Sequence, residues 1–202
     1  MGLYDTYLAL RYRRHDGAPP GHIALAITER DLLDSEGYET LEDILAWADQ
    51  YGAERVTVAV SVLDDAVIPT LERTLNQIQS PQPMAIRTPT SPESATTPIQ
   101  ILIGLGGKQE FATAVRELAQ EVAVENLTPD AIDEGAIADQ LLFAEEPDLM
   151  IKTGAERLSD FAIWQSVYSE LYFTDINWQN MRKRDFLRAL LDFKQRQRRF
   201  GQ

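Results

Sequence analysis

Short apolar runs alternate with amphipathic segments along this chain, and their order predicts a parallel α/β sheet. The run 23–27 and the alternating stretch 55–61 are typical of strands, the first of them buried on both faces. Between them, an apolar stripe at helical spacing predicts a helix that begins after an N-cap at Thr40 and ends at Gly52. Because strand, helix and strand follow one another, we expect the two strands to be parallel neighbours.

The same pattern extends over the rest of the chain. Further apolar runs predict strands at 99–104 and 148–152. Helical spacing predicts helices at 4–14, 66–79, 109–122, 129–142, 161–171 and 183–200. Residues 80–98 hold five prolines, which favours a surface loop in which 84–87 could pair weakly as an edge strand. We expect one α/β domain over residues 1–202, with a parallel central sheet flanked by helices.

Composition and charge narrow the classes of function. The 19 basic and 32 acidic residues give a net charge of −13, which argues against a nucleic-acid partner and is typical of proteins from a high-salt cytoplasm. There is no cysteine, and His15 and His22 are the only histidines, so thiolate chemistry and multi-histidine metal centres are excluded. For His22, just before a strand, we expect a structural hydrogen bond. No apolar run approaches the roughly 20 residues of a membrane span, and we expect a cytoplasmic protein.

The segment 152–161 carries the strongest chemical signal. It follows a predicted strand, so Gly154 can bring backbone N–H groups close to an anion. Lys152, Arg157 and Ser159 add cationic and hydroxyl donors. Such a turn suits a phosphate or diphosphate. On these residues alone, an ordinary strand-to-helix loop with a salt bridge and a serine cap remains an equal alternative.

Longer stretches of the C-terminal half resemble one family. Residues 148–175, DLMIKTGAERLSDFAIWQSVYSELYFTD, are similar to the C-terminal signature of the cis-prenyltransferases, the undecaprenyl diphosphate synthase family. RRFG at 198–201 resembles that family's closing Arg-x-Gly motif, and GLGGK at 104–108 resembles its Asn-Tyr-Gly-Gly-Arg turn. The resemblance implies the cis-prenyltransferase fold. It also implies condensation of isopentenyl diphosphate onto an allylic diphosphate with magnesium, which yields long cis-polyprenyl diphosphates.

The resemblance also implies roles for individual residues. Arg157 and Ser159 match residues that bind the homoallylic diphosphate, and Lys152 falls where the family has an arginine for that ligand. Lysine offers a point charge there in place of a bidentate guanidinium.

Three further residues match positions with a role at a shared site. Glu170 matches the carboxylate that joins the magnesium site. Arg199 and Gly201 match the motif that reaches the active site of the partner subunit in a dimer. We therefore expect these residues to be contributed in trans.

The N-terminal half departs from the family. Thr28 takes the position of the aspartate that chelates magnesium, so no catalytic residue is expected there, and Glu29 stands where the family loop needs glycine. Glu29 or Asp31 could bind the metal only from a rearranged loop. The basic arm that should follow is missing, and the segment after Thr28 is rich in acids instead. These are Asp31, Asp34, Glu36, Glu39, Glu42 and Asp43. We also expect the proline-rich residues 80–98 to replace part of the product tunnel.

Such losses resemble those of the Nogo-B receptor type of accessory subunit, which pairs with a catalytic cis-prenyltransferase. We expect a subunit that is inactive alone and forms a heterodimer with a catalytic homologue, with isopentenyl diphosphate and Mg²⁺ bound in the complex; a homodimer stays open. Membrane contact is expected through the lipid product only. The alternatives are an active divergent synthase that uses Glu29 or Asp31, and a regulatory pseudoenzyme that binds a diphosphate or a protein.

Overall fold

Six strands form one parallel sheet, which confirms the predicted fold class. The computed structural model describes residues 2–92, 96–141, 146–154, 162 and 164–196. The strands are β1 His22–Thr28, β2 Arg55–Ser61, β3 Met84–Arg87, β4 Ile99–Ile103, β5 Leu149–Thr153 and β6 Glu170–Thr174. Their order in the sheet is β3-β4-β2-β1-β5-β6, and all pairings between these strands are parallel.

The helices cover both faces of this sheet. Within the described residues they are α1 Leu3–Arg14, α2 Ser35–Gln50, α3 Ile68–Leu75, α4 Gly107–Ala123, α5 Glu134–Asp139 and α6 Lys183–Gln195. Short 3₁₀ turns lie at Glu29–Leu32, Asp65–Val67, Pro129–Ala131 and Trp178–Asn180. No helix in these parts of the chain is long and apolar enough to cross a bilayer.

The main core lies on one face of the sheet. Ile23, Leu25 and Ile27 of β1 point to this face and pack in one cluster with apolar residues of α2, α3 and α6. The opposite face has a smaller cluster that includes Ala24 and Met150. β1 is therefore buried on both sides, as its unbroken apolar run predicts.

The start of α2 differs from the prediction. The helix begins at Ser35 and its N-cap is Asp34, whose side chain accepts a hydrogen bond from the Gly37 N–H at 3.3 Å. Thr40 lies inside the helix, where its hydroxyl donates to the Glu36 carbonyl oxygen at 2.9 Å. The choice of Thr40 as N-cap was wrong because two capping residues lie within one short polar segment, and the earlier one starts the helix.

The predicted helix at 161–171 was also wrong in its described part. Residues 164–168 form turns, and Glu170–Thr174 is strand β6, which pairs with β5. Apolar residues in this stretch occur at helical spacing, but the run Leu171–Phe173 is aromatic and apolar throughout. Pairing with the exposed side of β5 decided the conformation, since strand formation depends strongly on tertiary context.

Other elements are shorter than predicted. α3 ends at Leu75 rather than 79, and the predicted helix at 129–142 is reduced to a 3₁₀ turn and the six residues of α5. Within the proline-rich stretch 80–98, Met84–Arg87 is the edge strand β3. The last residues of the predicted helix at 183–200 lie outside the described part of the chain.

Candidate functional site

The strand order places a crevice at the carboxyl ends of β1 and β5. The chain leaves β1 through α2 toward β2 on one side, whereas β5 and β6 lie on the other side. Ligands of parallel α/β sheets bind where the connections diverge in this way. In the register of the sheet Ala26 pairs with Lys152, so Thr28 and Gly154 each lie two residues beyond this pair. The sheet therefore brings Thr28 and Lys152 to the same edge.

The turn after β5 is described only as far as Gly154, so its predicted anion-binding role stays a prediction. Lys152 is partly buried, and among the described residues no side chain forms an ion pair or hydrogen bond with its ammonium group. Gly154 has a φ of 79°, a conformation that glycine adopts easily, and nothing lies within 4 Å of the place where a β-carbon would stand. Among the described residues, therefore, none crowds the Cα of Gly154. Arg157 and Ser159 lie outside the described residues.

The turn after β1 is closed by its own hydrogen bonds. The Asp31 carboxylate accepts one from the Thr28 N–H at 2.8 Å and one from the Thr28 hydroxyl at 2.9 Å. The Glu29 carboxylate accepts a hydrogen bond from the Leu63 N–H at 2.8 Å. Both carboxylates that could replace the missing aspartate thus have structural partners.

A magnesium ion does not fit the described residues of this edge. Mg²⁺ prefers near-octahedral oxygen coordination that includes one or two carboxylates. Nowhere in the described ranges do three histidine or acidic side chains come together in a group that could hold a metal ion. Asp31 and Glu29 would first have to give up their backbone partners.

Glu170 lies at the amino ends of the strands, whereas Lys152 lies near their carboxyl ends. It begins β6 and pairs with Leu149 at the start of β5. Its Oε2 accepts a hydrogen bond from Arg196 at 3.0 Å. Within one chain, therefore, Glu170 does not join Lys152 and Thr28. Arg199 and Gly201 lie outside the described residues.

The Gly104–Lys108 turn borders a small cleft between the ends of β2 and β4. The cleft has a volume of about 240 Å³, and its lining includes Ser61, Gly104 and Gly106. Gly106 is the N-cap of α4 and provides no side chain to cap the first N–H groups of that helix. These N–H groups can therefore donate to an anion or to water.

A larger apolar groove lies between the turn after β1, α2 and α3. Its volume is about 550 Å³, and its lining includes Leu32, Tyr38, Val67 and Leu71. Sequence reasoning missed it, because the proline-rich segment after residue 79 suggested that little apolar wall would remain. The four-residue spacing between Val67, just before α3, and Leu71 within it was a usable signal for one wall.

Sequence reasoning also missed the role of Asp148. Its carboxylate accepts hydrogen bonds from the N–H groups of Gly21 at 2.7 Å and His22 at 2.9 Å, which fixes the start of β1 beside β5. The His22 Nε2 lies 2.9 Å from the Thr57 hydroxyl, which confirms the expected structural hydrogen bond. Burial lowers the pKa of His22 to about 4.

Comparison with known proteins identifies the family. The undecaprenyl diphosphate synthase model of the prenyltransferases matches residues 67–201. An isoprenyl transferase of Deinococcus radiodurans is 32% identical over 255 aligned positions, which cover 98% of this chain and 90% of the relative. The chain therefore belongs to the cis-prenyltransferase family. Since it has 202 residues, at least 53 of those positions are gaps in this chain. The relative therefore has at least 53 residues without a counterpart in this chain.

Other relatives match over only part of their length. A tritrans,polycis-undecaprenyl-diphosphate synthase (geranylgeranyl-diphosphate specific) of Methanopyrus kandleri is 47% identical over 106 residues, which are 51% of this chain and 39% of the relative. Among solved structures, lavandulyl diphosphate synthase from Lavandula x intermedia, in complex with dimethylallyl diphosphate, has a TM-score of 0.72 at 23% identity. The match covers 91% of this chain and 99% of the plant protein. The structural match supports the fold.

Proposed function

We propose that this chain is an accessory subunit of a two-chain cis-prenyltransferase. It pairs with a catalytic homologue that makes long-chain cis-polyprenyl diphosphate from isopentenyl diphosphate and an allylic diphosphate. The observation that carries the proposal is the turn after β1, where Thr28 stands in place of the family's aspartate. The Asp31 carboxylate accepts hydrogen bonds from both the N–H and the hydroxyl of Thr28. A closed turn of this kind leaves no carboxylate ready for a metal ion.

The position of Glu170 supports a contribution in trans. β6 is an edge strand, and Glu170 stands at its amino end. If two subunits meet at these edges around a two-fold axis, the strands run antiparallel, and the amino end of one β6 lies beside the carboxyl edge of the other sheet. Glu170 would then give one carboxylate oxygen to the Mg²⁺ of the catalytic partner. Arg199 and Gly201 would complete the same site.

The surface around β6 supports a partner on this side. Val167, Tyr168 and Phe173 are large apolar or aromatic residues that stay exposed, with 68%, 54% and 37% of their surface accessible. An exposed strand edge flanked by such residues is a typical protein interface. Trp178, by contrast, is fully buried, so the aromatic residues of this region divide between the core and the surface.

An active divergent synthase is the second candidate, because the relatives of this chain are named as synthases. It requires Glu29 to leave the Leu63 N–H or Asp31 to leave Thr28, and thus a rearranged turn. The third hypothesis, a regulatory pseudoenzyme, is supported only by Lys152, which forms no ion pair or hydrogen bond with the side chains that the structure describes.

The deciding experiment measures incorporation of labelled isopentenyl diphosphate with magnesium and farnesyl or geranylgeranyl diphosphate. The chain is assayed alone and mixed with a homologue that has the intact Asp-Gly-Asn-x-Arg loop. We expect the chain to be inactive alone and to raise the activity of the homologue. Activity of the chain alone would establish the divergent synthase. If the chain is inactive alone and does not change the activity of the homologue, only the pseudoenzyme hypothesis remains.

The Arg199→Ala variant tests the contribution in trans. We expect turnover of the complex to fall roughly 100-fold, because a buried charge contact with a diphosphate is lost, while the two chains stay associated. Arg198→Ala is the matched control and should leave turnover within about twofold. Equal turnover for both variants would defeat the contribution in trans.

A further inference from the structure

Basic residues are concentrated on two helices of this acidic protein. α1 has three arginines and one aspartate, and residues 182–196 have six basic residues and two aspartates. These two segments carry a net charge of +6, although the whole chain carries −13. The rest of the molecule is therefore strongly acidic, and the charge is segregated in space if the two helices lie together.

Direct contacts hold α1 and α6 together. The Lys194 ammonium group donates hydrogen bonds to the carbonyl oxygens of Tyr12 and His15, both at 3.2 Å, and lies 4.1 Å from the centre of the Tyr12 ring. A cation at this position also stabilises the carboxyl end of α1. Near the other end, Arg188 lies over the Tyr4 ring at 5.4 Å. The two helices thus lie side by side with their basic residues, of which Arg184 and Arg188 also pair with the Asp185 carboxylate at 3.7 and 3.1 Å.

The outward face of α1 is apolar. Leu8 and Tyr12 are buried, whereas Leu3, Tyr7 and Leu10 are 94%, 55% and 47% exposed. Their spacing of four and three residues places these three side chains on one side of the helix. Arg14 continues the same row one turn further, and Arg11 lies four residues after Tyr7. An apolar stripe therefore leads directly into a pair of exposed arginines.

We propose that the α1–α6 surface, formed by Leu3, Tyr7, Leu10, Arg11, Arg14, Arg184 and Arg188, binds an anionic lipid membrane. Leucines would enter the boundary between headgroups and acyl chains, and the arginines would contact lipid phosphates. Interfacial helices combine an apolar row with basic residues in this way, and tyrosine and arginine are well suited to the headgroup level. The inference goes beyond the contact through a lipid product that the family resemblance implies.

A membrane satisfies both properties of this surface. A second copy of this chain would offer acidic residues to the arginines, but charge attraction of that kind does not use the exposed leucines. An anionic bilayer offers negative charge and apolar volume at the same depth. The inference does not depend on the proposed function, because membrane binding needs neither the catalytic homologue nor a substrate.

The test is co-sedimentation of the full chain with phosphatidylcholine vesicles that contain no anionic lipid or about one third phosphatidylglycerol. We expect binding to the anionic vesicles to be at least tenfold tighter than to the neutral ones. Raising the salt from about 0.1 M to about 1 M should weaken it, because the Debye length falls from about 10 Å to about 3 Å. Equal binding to both vesicle types, or no binding, would overturn the proposal.

Paired variants locate the binding surface. Arg11→Gln/Arg14→Gln should weaken binding to anionic vesicles roughly 30-fold, whereas Arg73→Gln/Arg116→Gln, which removes two exposed arginines from α3 and α4, should leave it unchanged. Leu3→Ser/Leu10→Ser should also weaken it, and Leu33→Ser/Leu63→Ser, at two other exposed leucines, should not. Circular dichroism checks the fold of each variant. If the α1 variants abolish self-association of the chain but not vesicle binding, the surface joins two copies and the membrane proposal is wrong.

Discussion

The turns that follow β1 and β5 stand side by side at one edge of the sheet, yet they are built in opposite ways. In the turn after β1, the Asp31 carboxylate accepts hydrogen bonds from the N–H and the hydroxyl of Thr28, and the Glu29 carboxylate accepts one from the Leu63 N–H. After β5, Lys152 has no polar partner among the described residues, and Gly154 leaves open space. The first turn is held by its own carboxylates, and we propose that the second binds a diphosphate.

If the proposed function is correct, one half of the family's site has been lost in this chain and the other half has been kept. Both turns depend on the same pair of neighbouring strands, and Asp148 fixes these strands together at their amino ends. The pairing of these strands is therefore intact beside Thr28, the position where the family resemblance implies an aspartate. In a two-chain enzyme such a scaffold could still present Lys152, Glu170 and the chain end to a partner.

The largest effect is expected from Gly37→Ala, which tests whether the turn after β1 is rigid. A β-carbon at Gly37 would collide with the carbonyl oxygen of Asp31, and the Gly37 carbonyl oxygen accepts a hydrogen bond from buried Trp178 at 2.8 Å. We expect the free energy of unfolding in urea to fall by roughly 3 kcal/mol. Gly2→Ala, where a β-carbon would make only an ordinary contact with Asp5, should lower it by no more than about 1 kcal/mol, because Gly2 is the N-cap of α1 and alanine caps less well than glycine. Similar values for both variants would mean that the turn adapts.

A pH effect of similar size is expected from His22, at the amino ends of the two strands. Burial lowers its pKa from 6.5 to about 4, so the folded chain favours the neutral ring. Stability from this group is complete above about pH 6.5 and is lost as the pH falls toward 4, because only the unfolded chain takes up the proton. The loss approaches roughly 3 kcal/mol.

The measurement compares urea unfolding of the wild type and His22→Gln at pH 7 and pH 4.5. Glutamine can still bond to Thr57 but does not titrate, so the variant should lose less stability than the wild type between these values. Carboxylates titrate equally in both proteins, and their contribution cancels in the difference. Identical losses would show that His22 is accessible to protons in the folded state.

A smaller effect is expected from Lys152→Ala on the affinity of the isolated chain for isopentenyl diphosphate. Loss of one hydrogen bond to a charged group should weaken binding roughly tenfold in equilibrium dialysis with labelled ligand. Lys183→Ala removes a partly buried lysine of α6 that bonds to Gln50, and it should leave the affinity unchanged. Equal affinities for the two variants would show that Lys152 does not bind isopentenyl diphosphate. The turn after β5 would then lack a binding role, as the turn after β1 does.

The smallest effect is expected from Thr28→Asp. The variant restores the carboxylate of the family but places it beside Asp31, which has then lost the hydrogen bond from the threonine hydroxyl. We expect no detectable prenyl transfer by the isolated chain and a stability change below about 1 kcal/mol, since aspartate and threonine both cap helices. A clear gain of activity would mean that the missing segments matter less than Thr28 itself.

Much of the fold could be predicted from the sequence because its signals are local. The unbroken apolar run of β1, the alternation in β2 and the amphipathic spacing of α4 and α6 each give the correct element. The prediction failed where a second candidate or a tertiary pairing decided the outcome. Asp34 rather than Thr40 starts α2, and the stretch that contains Leu171 became a strand because β5 had an unpaired side.

By itself, then, the sequence determined the parallel α/β class and the family, and it led us to expect the loss of an aspartate at Thr28, since these depend on residue types and their order. The tertiary structure alone decided that Asp31 and Glu29 are held by backbone N–H groups and that Glu170 lies at the amino ends of the strands, whereas Lys152 lies near their carboxyl ends. It also placed the arginines of α1 beside the basic residues of α6. These relations join residues far apart in the chain, and only packing sets their distances.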